Sequence, residues 1–116
     1  MNIMKYLYDK DSIKRKILDI EDDIKRIMQV ACPEKFNVSW YGAYDIDPKH
    51  LVYWICMESD AVKHELEKNI ELNKTLRDLL EKHQYPAEAQ KDVYIGFESQ
   101  ETVDRESGGN WYHHFK

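Results

Sequence analysis

The chain is expected to fold as an α+β domain with element order α-β-β-α-α-β. A sheet of three or four strands should carry helices mainly on one face, with a short helix/strand extension at the C-terminus. Three observations lead there. Ile13, Ile17, Ile20, Ile24 and Ile27 recur at helical spacing early in the sequence. Three short stretches around Val38, Trp54 and Ile95 are rich in the aromatic and β-branched residues that strands favour. Leu66, Leu72, Leu76, Leu79 and Leu80 supply further helical material between the last two of these stretches.

The isoleucine stripe, widened by Leu18 and Met28, predicts one amphipathic helix laid on a sheet. Asp11 or Ser12 can cap its start, and Pro33 ends it. A coiled coil would need the pattern to continue for at least three heptads. Apolar and polar residues then alternate from Phe36 through Trp40, the pattern of a half-buried strand, with Gly42 at its end or at a bulge. Pro48 sets the following turn. The next strand, Leu51 to Met57, is apolar on both faces, so it should be central and covered on both sides, or have one face that carries a ligand or partner.

Ser59 and Asp60 open a helix as N-cap and first-turn acid. Val62, Leu66 and Ile70 share one face, and Leu72, Leu76, Leu79 and Leu80 lie on a shifted phase, so a break falls near Asn69. The second helix of this pair reaches about His83 and is stopped by Tyr85-Pro86, with one further turn at residues 87–90. Val93 to Phe97 is the third strand. Ser99 caps a short helix to about Glu106, and Gly108 ends it in the left-handed conformation. Residues 110–115 form a fourth, edge strand or an extended tail.

A length of 116 residues suits a single domain spanning residues 1–116. Such a chain buries roughly 65% of its unfolded surface and needs no staples. Cys32 and Cys56 are too few for a disulfide framework and form no CxxC motif; Cys56 is expected to be a buried small hydrophobe. The net charge of −5 argues against general nucleic-acid binding and suits a basic partner. The N-terminal residues lack the apolar core of a signal peptide, and no stretch approaches the roughly 20 apolar residues of a membrane span, so a cytoplasmic protein without membrane contact is expected.

The segment after the third strand is the densest in chemistry. Glu98, Glu101, Asp104 and Glu106 form an acidic cluster around one cation, Arg105, followed by Trp111 and Tyr112. In a helix Glu101 and Arg105 are i,i+4 partners. Carboxylates steer encounter and aromatic rings supply contact area, so Glu98, Glu101, Asp104, Arg105, Trp111 and Tyr112 are the expected binding residues for a basic protein. As an alternative, Glu98, Glu101, Asp104 and His113 offer the acids and base of a small enzyme. In a strand His113 and His114 would point to opposite faces, and near a chain end both are expected to be solvated.

No cofactor or metal is expected. His64-Glu65 starts like a zinc helix, but residue 68 is lysine where the second histidine belongs, so His64 reads as a surface residue. Glycines 42, 96, 108 and 109 form no phosphate-binding loop. The element order resembles that of type II KH domains. That resemblance implies a nucleic-acid binder with a GxxG loop between its paired helices; the stretch at that place here is Lys68-Asn69-Ile70-Glu71. The leading expectation is a non-enzymatic acidic binding protein, for example a bacterial immunity protein that inhibits a cationic toxin. Strand pairing across a sheet edge would also allow a homodimer.

Overall fold

A computed structural model describes residues 3–115. The order is α1 (Ile13–Ala31), β1 (Phe36–Tyr41), β2 (Val52–Met57), α2 (Asp60–Lys68), α3 (Ile70–Lys82), β3 (Tyr94–Ser99), α4 (Gln100–Ser107) and α5 (Trp111–His114). A 3-10 turn at Ile3–Leu7 precedes α1, and shorter ones lie at Pro48–His50 and Gln90–Asp92. The α+β class and the α-β-β-α-α-β order are those expected from sequence.

The sheet has three strands in the order β1-β2-β3. β2 pairs antiparallel with β1 and parallel with β3. The parallel pair follows from the long α2–α3 crossover between them, because a tight hairpin can join only antiparallel strands. The expectation of a fourth strand at residues 110–115 is corrected: Trp111–His114 is helical. Asn110 is the reason, since its side chain accepts from the His113 N–H and starts a turn that a strand could not make.

Strand alternation divides the sheet into two faces. The inner face presents Val38, Tyr53, Ile55, Met57 and Phe97 to the core, where Ile17, Ile20, Ile24 and Met28 of α1 meet Leu66, Leu72, Leu76, Leu79 and Leu80 of α2 and α3. α1 is thus one amphipathic helix on a sheet. Ser12 caps it, accepting from the Arg15 N–H at 3.1 Å. Tyr53 is buried whole and keeps its hydroxyl satisfied by donating to the Ile17 carbonyl at 2.7 Å. Gly42 ends β1 at φ +118°, and a Cβ there would lie 1.9 Å from the His50 carbonyl oxygen.

The outer face carries Asn37, Ser39, Tyr41, Val52, Trp54, Cys56, Tyr94, Gly96 and Glu98, as the strand registers require. α5 returns over this face: Phe115, which follows it, stacks on Trp54 with ring centroids 4.6 Å apart. The central strand is therefore covered by α1–α3 on one side and partly by the C-terminal helix on the other.

Candidate functional site

Two features stand next to each other: a polar network, buried at Glu98, Ser99 and Thr102, and an aromatic groove on the outer face. The network begins at Glu98, at the C-terminal end of β3. Strand alternation points its side chain away from the core, and α5 then covers it, so a carboxylate that sequence places on a surface becomes buried. One oxygen of Glu98 lies 2.7 Å from His114 Nε2 and the other accepts from Lys63 Nζ at 2.9 Å. Burial works to raise this carboxyl's pKa, but the bonds from His114 and Lys63 outweigh it and hold the group below the usual carboxylate range.

Lys63 also donates to the Thr102 hydroxyl at 2.9 Å. Thr102 and Ser99 both donate to Asp60 Oδ1, at 2.6 and 2.5 Å, and Arg105 Nη1 donates to Asp60 Oδ2 at 2.8 Å. The Ser99 and Thr102 hydroxyls, then Arg105, lower the pKa of Asp60 far below its ordinary value. The expected Glu101–Arg105 pair is thus replaced. Arg105 reaches across to Asp60 of α2, and Glu101 accepts from the Asp60 backbone N–H at 2.7 Å. Both exchanges exist because α2 and α4 start side by side, their N-termini held by Ser59 and Ser99.

His114 is corrected as well. It is not solvated: its side chain is only 12% exposed, wedged between Glu98 and Ser107, whose Oγ lies 3.1 Å from Nδ1. Adjacent positions on a helix diverge by about 100°, so His113 turns outward while His114 turns to the sheet. The Glu98–His114–Ser107 chain could relay a proton. The two amides after Ser107, those of Gly108 and Gly109, already donate to the Val103 carbonyl, so they offer no free donors to a developing oxyanion.

The groove lies between α5 and the β1–β2 half of the outer face. Asn37, Ser39, Tyr41, Cys56, Trp111, Tyr112 and Phe115 line a space of about 710 Å³. A second recess, bordered by Lys35, Glu58 and Gln100, shares Asn37, Cys56 and Trp111 with it. Cys56 forms part of the floor; burial and the nearby Glu98 push its thiol up to about 12, which disfavours the thiolate form. Tyr112 is 74% exposed at the rim. Trp111 donates its indole N–H to Gln100 at 2.9 Å, and Gln100 in turn donates to Asp104.

Of the six residues expected to bind, Trp111 and Tyr112 line the groove, and Asp104 is tied to it through Gln100. Glu101 and Arg105 are exposed but engaged with α2, and Glu98 is buried behind α5. Sequence reasoning missed Asn37, Ser39 and Tyr41. The signal was present in the polar alternate positions of β1, which reads as an ordinary solvent face until α5 is seen to roof it. His64 is exposed, as expected. Among the described residues no three His, Cys, Asp or Glu side chains converge as a metal site would require, and no helix is long and apolar enough to cross a membrane. Comparison with protein-family models, curated proteins and solved structures returns no match.

Proposed function

We propose that the protein is a non-enzymatic binding module whose groove takes an apolar side chain of a basic protein partner. The observation that carries this reading is the groove itself: three aromatic rings of the C-terminal segment face polar strand positions across an open space, beside exposed carboxylates. Aromatic pockets supply the anchor in protein interfaces, and charge around them sets the encounter rate. Asp104 is exposed on α4 and joined to the groove through Gln100 and Trp111, and Glu58 borders the adjoining recess, so a cationic partner is favoured at the rim. An inhibitor of a cationic toxin, as bacterial immunity proteins are, is one instance.

The test uses synthetic peptides that carry one phenylalanine among lysines and arginines, with tryptophan fluorescence of the protein as readout. The basic peptide should bind in a salt-sensitive way. W111A should weaken it about tenfold or more, as loss of an aromatic anchor does. Asp104→Lys with Glu58→Lys should slow association and remove the salt dependence. These two positions are preferable to Glu101, whose carboxylate also holds the start of α2. Equal binding of a glutamate-substituted peptide would overturn the basic-partner reading.

A second reading, acid–base chemistry, draws on the Glu98–His114–Ser107 chain. It requires turnover of some ester or amide substrate that S107A abolishes while the fold is retained. Activity unchanged by that substitution would end it.

A further inference from the structure

β1 is an edge strand, and the direction of its backbone groups follows from one bond. Tyr94 N donates to the Leu51 carbonyl at 3.2 Å, so the backbone groups of Leu51 face β3. These groups alternate sides along a strand, so Tyr53, Ile55 and Met57 also face β3, whereas Val52, Trp54 and Cys56 face β1. Their partners Tyr41, Ser39 and Asn37 therefore face β2. The N–H and C=O groups of Phe36, Val38 and Trp40 are left pointing outward, and no hydrogen bond from a described residue meets them.

Natural edge strands are usually protected by a charge, a proline, a bulge or a covering helix. β3 is guarded in this way, with α2 packed against it and Glu98 within it; α1 also meets β1, where Ile24, Met28 and Val38 share the core. The stretch Phe36-Asn-Val-Ser-Trp-Tyr41 has no charged residue and no proline, and its pairing with β2 runs through six consecutive residues without a bulge.

We propose that β1 pairs antiparallel with β1 of a second copy, joining two chains into a six-stranded sheet. The three outward-facing residues are symmetric about Val38, which places a two-fold axis there and makes Val38 face Val38 of the second copy as a hydrogen-bonded pair. The register then matches unlike groups that suit each other. Phe36 falls opposite Trp40 of the second copy on the inner face, an aromatic cross-strand pair. Asn37 falls opposite Ser39 on the outer face, donor to acceptor. Lys35 falls opposite Tyr41, whose ring can take a cation on its face. A recess lined by Lys25, Gln29, Phe36, Asn37 and Val38 opens along this edge, beside the position that Trp40 of the second copy would take. The two grooves would lie on the same face of the joined sheet, so the dimer would be bivalent toward its partner.

Sedimentation velocity of the full chain tests this. The expected result is a species of twice the 13.9 kDa chain mass that gives way to monomer on dilution. N37K/S39K sets like charges opposite each other twice across the axis and should give monomer at every concentration, with an unchanged circular dichroism spectrum. N37K/S39E sets opposite charges at the same places and should restore the dimer, which a merely structural loss would not allow. A wild-type chain that stays monomeric at high concentration overturns the proposal. So does a dimer that is indifferent to N37K/S39K, which would lie on another surface.

Discussion

Glu98 shows how one side chain can hold two elements. Its carboxylate takes bonds from Lys63 of α2 and meets His114 of α5, and the Ser99 N–H adds a third contact at 3.0 Å. E98A would leave the Lys63 ammonium, only 13% exposed, without its main counter-charge. Removing one partner of such a pair costs about 3 kcal/mol, to be read as a lowered urea midpoint. The same group makes stability depend on pH. Its folded-state pKa is depressed, so its contribution is complete above the ordinary carboxylate range of about 4 and is lost as pH falls through the lowered value. Asp60 and Glu34 act in the same direction; for Glu34, burial is outweighed by the Ser59 hydroxyl and by the Ser59 and Glu58 amides. Urea melts between pH 6 and 3 should therefore show wild type losing more stability than E98Q, and parallel curves would contradict that account. On α1, Asp22 and Asp23 are buried carboxylates. Lys5 of the N-terminal turn covers Asp22 at 2.7 Å, and Lys82 and His83 at the end of α3 cover Asp23 at 3.1 and 2.6 Å.

Most elements were legible because their signals are local. Ser12, Ser59 and Ser99 each sit one residue before a helix and accept from the third residue onward, which short-range spacing alone reveals. The break between α2 and α3 falls at Asn69, whose side chain accepts from the Leu72 N–H at 3.0 Å. Gly42 marks the strand end for a backbone reason: its φ of +118° suits only glycine, and the His50 carbonyl leaves no room for a methyl group. Gly42→Ala should cost at least about 1–3 kcal/mol through that strain, measured by thermal melting. α5 was misread because four residues carry no periodicity. Its position depends on contacts distant in sequence, chiefly Phe115 on Trp54 and His114 against Glu98. Phe115→Ala should red-shift the tryptophan emission by uncovering Trp54. It should cost less than the roughly 3 kcal/mol or more of a core phenylalanine, because the main core lies on the opposite face of the sheet. An unshifted emission would mean that α5 does not rest there.

At the scale of the molecule, the two sheet faces do different work. The inner face holds the core, and Ile20→Ala there, fully buried, should cost about 2–5 kcal/mol by chemical denaturation. The outer face is only partly roofed, which leaves the groove. The sequence by itself determined the α+β class, the element order and the inner core stripe, because hydrophobic periodicity and capping are properties of neighbouring residues. Only the tertiary structure decided that Glu98 is buried, that Arg105 serves Asp60 rather than Glu101, that β1 is an edge strand with outward backbone groups unmet among the described residues and that its polar face becomes one wall of a groove. Each of these depends on which elements are brought together across the sheet, and pairing over such separations leaves no periodic trace in a single chain.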